Sequence, residues 1–473
     1  MLTGLDHRAR RLSSAWLTIL PSKALTVLVQ IIAFPTVYRA VGPAQFAAYA
    51  AITSIVSILG FFNLGMGGAI VTPLAHAAAD IDHERETSLL SATLVPIAVL
   101  AAVAMCVAVP FLWYLPVNTL FGEVARLIPS KVLRISAIIA CFGTLAAVPF
   151  SVVDSARQAY QETHISNAFG ALGNALLGTG LLLSAWLSPT LPVFVAVTAL
   201  VPLVARGLNM SFLFIRRPYL LSARKGWGSR SLVFRMMKDG LSYIGAAAVA
   251  SALIYQWPTY YMTRTRPAGE SSAFALYMQL ILLVISFGVS LAQPLWPALA
   301  DAAAKGDCEW VTTAIGRARA VSAMYGAGAM LAFGFLGKPI FKLWLRRPIQ
   351  LDNAICWLAG LYVLLAAWEY IHWPLCLGLG AMRSASNLVL ARAVVFAALL
   401  PWAVRYGPVG VLVLLCTSVI LISSWTYPFL LNSAMTRFRT GSLPWVRQMS
   451  ASSNPVETQD PGLGQDMIGE SCL

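Results

Sequence analysis

The chain has 473 residues, of which 58% are hydrophobic and 11% are charged, whereas soluble proteins average about 25% charged residues. A soluble protein of this length has too little interior to bury so much apolar side chain, so we expect most of it to contact lipid. The net charge of +14 does not indicate nucleic-acid binding, because the basic residues lie in short loops between apolar runs. Composition therefore predicts a polytopic membrane protein.

Runs of roughly 20 apolar residues, the length that crosses a bilayer, predict twelve transmembrane helices and an all-α fold. The first run is longer than a signal-peptide core and lacks a clear cleavage site, so we expect it to be a retained span. The predicted spans are 15–38, 46–69, 88–109, 132–154, 166–187, 191–215, 240–262, 272–295, 314–336, 353–378, 386–404 and 408–432.

Two further segments are distinguished by their polarity. Residues 216–239 are strongly basic and separate six spans from six, which predicts an N-terminal lobe at 1–215, a basic linker and a C-terminal lobe at 240–432. Within the linker, Leu232–Lys238 is amphipathic; it either lies along anionic headgroups or carries ordinary positive-inside charge. The polar segment 433–473 is too poor in apolar residues to fold alone, so we expect a disordered tail.

The two sets of spans carry an internal repeat. Leu74–Glu84 and Leu299–Glu309 match at an offset of 225 residues, and Pro35-Thr-Val-Tyr38 returns as Pro258-Thr-Tyr-Tyr261. Six spans per lobe preserve orientation, so we expect parallel lobes related by a pseudo-two-fold along the membrane normal. Lys and Arg accumulate on the side that holds both termini, which predicts cytoplasmic termini.

Motifs of common enzymes are absent from the sequence. There is no P-loop, no GxSxG and no dinucleotide fingerprint, and the histidines and cysteines show neither HExxH nor CxxC spacing. We therefore predict no catalytic residues, no metal site and no cofactor. A membrane glycosyltransferase or polymerase would need a sizeable external loop or a carboxylate pair, and the longest external connection, 110–131, offers only Glu123.

Charged residues at membrane depth are the candidate functional groups, because each costs about 2.5–3.5 kcal/mol to insert at mid-helix. Lys23 is a candidate cation of a central cavity, or a lysine that snorkels from a helix start near Pro21. Arg206 could hold a diphosphate through its guanidinium fork, or could reach cytoplasmic headgroups. Glu369 is a candidate coupling residue for a proton or cation, or the partner of a buried arginine. Asp154 and Arg157, three residues apart, predict a structural ion pair.

Helix breakers at matching positions of the two halves mark a candidate binding region. Pro35 and Pro258 are candidate hinges, because proline removes a helical hydrogen bond. The residues around the second proline supply hydroxyl, amide and aromatic groups suited to carbohydrate, although an aromatic belt at the outer interface would look the same. The predicted cavity residues of this segment are Tyr255, Gln256, Trp257 and Tyr260.

Three segments, Arg39–Ala50, Asn63–Gly67 and Pro294–Trp310, resemble the polysaccharide biosynthesis membrane proteins. These are Wzx-like oligosaccharide-lipid flippases of the multidrug/oligosaccharidyl-lipid/polysaccharide exporter superfamily. The resemblance runs from about residue 13 to 432. Position 63 is Asn where the family pattern has an acid, which puts any coupling role of that acid in doubt. Twelve spans also disfavour the fourteen-helix peptidoglycan-precursor flippases.

The resemblance implies two six-helix bundles around a central cationic cavity with alternating access, in the bacterial inner membrane. It implies a cargo of undecaprenyl-diphosphate-linked oligosaccharide for exopolysaccharide, capsule or O-antigen assembly. The expected partners are this lipid-linked cargo, membrane lipids, and polysaccharide polymerase and export proteins; we expect a monomer. A drug or metabolite antiporter on the same fold is the alternative.

Overall fold

The computed structural model describes residues 2–60, 65–221, 230–346 and 352–440. Asn63, part of the linker and the tail beyond residue 440 lie outside these ranges. The described chain is helical throughout, with no strand. In the first half the helices are α1 (Leu2–Leu59), α2 (Met66–Ala79), α3 (His83–Tyr114), α4 (Val117–Phe121), α5 (Ser130–Phe150), α6 (Val152–Ala159), α7 (Thr163–Leu187) and α8 (Leu191–Arg216).

The second half contains ten further α-helices. Short 3-10 turns occupy Gly122–Arg126, Pro218–Leu221 and Val404–Tyr406, and π turns occupy Gly240–Gly245, Ala252–Gln256 and Val419–Ser423. The helices of the second half are α9 (Arg230–Asp239), α10 (Ala246–Ser251), α11 (Trp257–Thr265), α12 (Ala268–Ala292), α13 (Leu295–Ala304), α14 (Cys308–Leu345), α15 (Asn353–Gly378), α16 (Met382–Ala403), α17 (Gly407–Ser418) and α18 (Ser424–Arg439).

Nine helical stretches of the described chain are long and apolar enough to cross a membrane. Two of them contain a turn at a glycine with positive φ: Gly42, with φ 77° and ψ 176°, and Gly407, with φ 66°. Dividing these stretches at their turns, and adding the helical run Arg230–Thr265, accounts for the twelve predicted crossings. The all-helical, polytopic fold predicted from the sequence is therefore confirmed.

Several predicted boundaries need correction. The helix α1 is helical from Leu2 onward, so Pro21 does not mark a helix start. It also continues through Pro35, and its first non-helical residue is Gly42, directly before Pro43. The helix α18 runs to Arg439, so residues expected in the tail are helical. The two errors at Pro21 and Pro35 have the same physical reason: a proline inside a long apolar helix costs one hydrogen bond, which tertiary packing can offset.

The sequence repeat is present in the backbone. After α2, the amide of Asp82 donates to the carbonyl of Ala77, and after α13 that of Asp307 donates to Ala302, both at 3.0 Å. Each aspartate then caps the next helix, because its side chain accepts the amide of the residue three positions later. All of these pairs keep the offset of 225 residues.

A second pair of turns repeats without an obvious sequence match. Glu162 donates its amide to Arg157 at 2.7 Å, and Ala381 donates to Cys376 at 2.8 Å. The residue before each donor has a positive φ, as in the first pair of turns. The two halves therefore share both turns, and their backbone symmetry extends beyond the segments that match in sequence.

We expect Ile81→Gly to stabilise the protein by about 1 kcal/mol, because Ile81 holds a left-handed φ of 55° that a β-branched residue adopts at a cost. The repeat supplies the reverse substitution, Gly306→Ile, at a φ of 69° with open space around the added Cβ. Thermal unfolding of the purified protein should show a higher midpoint for the first variant and a lower one for the second. A shift of both in the same direction would contradict this.

The helix α1 also joins the two halves. It packs against α11 and α12 of the second half as well as α5, α7 and α8 of the first. Three small residues at this junction, Ala47, Ala48 and Ala51, are completely buried. Small side chains allow close helix approach in a membrane, where association depends on packing and hydrogen bonds.

The linker helix α9 confirms the amphipathic pattern of Leu232–Lys238 and assigns its faces. Met236 is buried in a cluster with side chains of α2 and α3, whereas Phe234, Arg235 and Lys238 are exposed. The apolar face of α9 therefore packs on the protein.

Candidate functional site

A buried ion pair lies between α15 and α16. Arg392 Nη1 is 3.0 Å from Glu369 Oε2, and the two side chains are 2% and 4% exposed. Ser423 donates its hydroxyl to Glu369 Oε1 at 3.2 Å. Two roles were considered for Glu369, a coupling residue and the partner of a buried arginine. Arg392 is the buried arginine that the second role requires.

Tyrosines surround this pair. The hydroxyls of Tyr255 and Tyr370 are 2.6 Å apart, and both residues lie within electrostatic reach of Arg392. The hydroxyls of Tyr362 and Tyr427 and the Nε atom of Arg392 are buried and have no hydrogen-bond partner among the described residues. The predicted cavity residue Tyr255 thus lies beside the predicted coupling residue Glu369, in a polar cluster enclosed by the second half.

The other aromatic candidates belong to a separate cluster of tilted rings on α11. The Trp257 ring lies 5.3 Å from that of Tyr260 and 6.5 Å from that of Tyr261. Tyr260 is buried, whereas Gln256 and Trp257 are half-buried. The π turn Ala252–Gln256 precedes Pro258, so an irregular helical turn lies at this predicted hinge.

The predicted cations of the first half lie on α1 and α8. Arg206 Nε is 3.8 Å from Asp154 Oδ2, and both side chains are nearly half exposed. Lys23 is half-buried on α1, three residues before Thr26, whose hydroxyl accepts the amide of Asn174 on α7 at 2.8 Å. Ser166, on the same helix α7, donates to Asp154. Lys23, Arg206 and Asp154 therefore lie on three helices, α1, α8 and α6, and each of these helices packs against α7.

The predicted ion pair between Asp154 and Arg157 is wrong. Arg157 is completely buried, and it pairs with Glu162 while donating from Nε to Asn209 Oδ1 at 3.2 Å. Glu162 also accepts from Arg217 at 2.9 Å. Asp154 and Arg157 share α6, but Arg157 faces the interior and Asp154 faces Arg206, so the spacing that allows a pair does not produce one.

A polar cluster around Glu86 was not predicted. The carboxylate, which is buried, accepts from Tyr160 at 2.8 Å and from Tyr219 at 2.9 Å, and His83 Nδ1 lies 3.1 Å away. Burial, followed by the hydrogen bond and charge of Glu86, raises the pKa of Tyr219 to about 12, so its hydroxyl stays a donor at neutral pH. The sequence repeat contained a signal for this site, because it aligns the charged Glu86 with an apolar residue, Val311. In the structure Val311 is buried.

A second missed group is Arg319, which lies inside the predicted span 314–336 but was not among the candidate charges. The helix α14 begins at Cys308, so Arg319 lies three turns inside it. Its Nε donates to His372 Nε2 at 3.1 Å, and His372 is completely buried. No ion pair involves Arg319 within the part of the chain that the structure describes.

Solved structures of membrane transporters share this fold. An inward-facing multidrug resistance MATE family transporter of the MOP superfamily aligns with a TM-score of 0.72 at 13% identity, over 89% of this chain and 99% of that one. The lipid II flippase MurJ, in an inward closed conformation, aligns with a TM-score of 0.66 at 13% identity, over 96% of each chain. A MOP superfamily transporter from Pyrococcus furiosus gives 0.66 at 14% identity, over 91% and 96%.

These likenesses establish the fold, which is that of the MATE and MurJ transporters. No protein-family model matches the sequence, and no curated protein matches it.

Proposed function

We propose that this protein is a transporter that flips an undecaprenyl-diphosphate-linked oligosaccharide across the bacterial inner membrane, for exopolysaccharide, capsule or O-antigen assembly. Lobes 1–215 and 240–432 would move against each other by alternating access, with both termini in the cytoplasm and 216–239 as the link. The shared fold with a lipid II flippase supports a lipid-linked cargo. The sugars would be bound by the hydroxyl, amide and aromatic groups of Tyr255, Gln256, Trp257 and Tyr260, and Pro35 and Pro258 would act as hinges.

The observation that carries this proposal is the charge balance inside the spans. Among the side chains that the structure describes, Asp154 and Glu369 are the acids more than one helical turn inside these stretches, and each faces an arginine. Lys23 and Arg319 form no ion pair with any described residue. An unpaired intramembrane cation is costly unless it faces water or an anion. The net positive balance suits a diphosphate and disfavours a cationic drug.

The antiporter alternative rests on the likeness to multidrug transporters and on a carboxylate that can exchange a cation. Glu369 is the candidate for that exchange. Its carboxylate is already neutralised by Arg392 at 3.0 Å, so exchange of a proton or metal cation requires the arginine to move away. The pair therefore weighs against coupling through Glu369 in this conformation.

Flipping measured in proteoliposomes tests the proposal. With a fluorescent undecaprenyl-diphosphate-linked oligosaccharide, we expect Lys23→Ala and Arg206→Ala each to slow flipping about tenfold, because each removes a charged contact to phosphate. Arg126→Ala is the control, since Arg126 is an exposed loop residue paired with Glu123. Unchanged flipping in both variants would contradict the cationic cavity. Export of a cationic dye without any lipid flipping would favour the antiporter.

A further inference from the structure

Arg319 is a cation for which the scaffold has no evident structural need. It is the twelfth residue of α14, about 16 Å from the helix start, in a helix long and apolar enough to cross the membrane. The repeat places Leu94 at the equivalent position of the first half, and the second repeated turn places Val153 opposite His372. The first half thus forms the same helices with apolar residues at both positions.

His372 contacts the guanidinium of Arg319 through one ring nitrogen, Nε2. The Nδ1 atom of its ring is 2.7 Å from the Trp368 carbonyl, which can only accept, so Nδ1 carries the proton. The Nε2 atom is therefore an acceptor, and it receives Arg319 Nε at 3.1 Å. Because His372 is completely buried and its ring packs 4.5 Å from Trp368, this orientation is fixed.

The other edge of the guanidinium contains a buried atom without a hydrogen bond. The Nη2 atom of Arg319 donates to no residue that the structure describes, although the side chain as a whole is only half-buried. With Nε held by His372, the terminal Nη1 and Nη2 atoms form the edge that binds oxyanions in a bidentate manner. A buried cationic donor without a partner is costly, and a bound anion would satisfy it.

The neutral imidazole distinguishes Arg319 from the two fully buried arginines of the spans. Arg157 and Arg392 each face a carboxylate, which cancels their charge. The charge of Arg319 remains available to a ligand. We propose that Arg319 and His372 form a phosphate-binding site in the second half, with Arg319 as the binding residue and His372 as its positioning residue. That the phosphate belongs to a lipid-linked cargo rests on the function proposed above.

Ligand-induced thermal stabilisation of the full-length protein in detergent tests this site. Undecaprenyl diphosphate, inorganic pyrophosphate and phosphatidylglycerol are titrated separately, with undecaprenol as the phosphate-free reference. We expect undecaprenyl diphosphate to raise the unfolding midpoint of the wild type, and Arg319→Gln to weaken its apparent affinity at least about tenfold. Arg317→Gln, an exposed arginine on the same helix, is the matched control and should bind as the wild type does.

The probes separate this inference from the proposed function. Equal stabilisation of the wild type and Arg319→Gln by every phosphate probe would overturn the Arg319 site and leave the flippase proposal standing. A third outcome is Arg319-dependent stabilisation by pyrophosphate or phosphatidylglycerol but not by undecaprenyl diphosphate. That result would support the phosphate site and contradict the lipid-linked cargo. Stabilisation by undecaprenol equal to that by undecaprenyl diphosphate would overturn the site, because the phosphate would contribute nothing.

Variants of His372 test its positioning role. His372→Gln keeps a side-chain acceptor for Arg319 Nε and should retain most of the affinity, whereas His372→Leu removes the acceptor and should lose it. The unfolding midpoint of each variant is also measured without ligand. That midpoint reports the effect of the substitution on packing alone. Equal affinities of the two variants would contradict the positioning role of His372.

Discussion

Replacing Glu369 by Leu alone is expected to destabilise the protein by about 3–5 kcal/mol, because it leaves Arg392 charged and unpaired in a fully buried position. Arg392→Met alone should cost a similar amount for the opposite reason. Removing both charges together should recover most of the loss, since well-packed apolar side chains replace a buried pair at little net cost. The free energies of unfolding of the wild type, the two single variants and the double variant form the cycle that measures this coupling.

The same cycle separates a structural pair from a coupling site. The control is the pair of Glu123 and Arg126, which is more than half exposed and should show a coupling of less than about 1 kcal/mol. If Glu369 carries coupling charge as well, the stable double variant should lose the dependence of transport on pH or on added cations. Double-variant transport with unchanged ion dependence would rule out a coupling role for Glu369. Additive single effects would show that the pair contributes nothing as a unit.

Arg157→Met is expected to destabilise the first half by about 3–5 kcal/mol, because it removes a fully buried guanidinium that holds Glu162 and Asn209 together. Arg217→Met should cost less, about 1 kcal/mol, since Arg217 is 23% exposed and Arg157 still neutralises Glu162 in that variant. Thermal or denaturant unfolding of the two variants gives the comparison.

The informative quantity is the difference between the losses in free energy of unfolding of Arg157→Met and Arg217→Met. Both contact the same carboxylate, Glu162, but Arg157 is completely buried and also contacts Asn209, whereas Arg217 is 23% exposed. Equal losses would show that the contact with Glu162 and not burial sets the cost. The second half gives an independent reference, because the residue equivalent to Arg157 is the buried Cys376, so the fold itself does not require a charge there.

The misassigned cations show where reasoning from the sequence stops. Arg319 lay near the predicted start of its span, residue 314, whereas α14 begins several residues earlier, at the Asp307 cap, so Arg319 lies deeper in the helix than the predicted boundary indicated. Arg157 was paired with the nearest acid along the helix, although Glu162 lies beyond the next turn. Pro35 was taken as a break because its backbone effect is local, and packing of α1 on both halves keeps the helix continuous there.

By itself the sequence determined the features that follow from local composition and order: an all-helical membrane fold, the approximate spans, the repeat at 225 residues and the residues that carry charge into the spans. Apolar length and helix caps encode these properties over short stretches of chain. Only the tertiary structure decided the partner of each charge, because Glu369 and Arg392, or Arg319 and His372, lie on different helices. A pairing between helices depends on how they pack and rotate, and no local pattern specifies it.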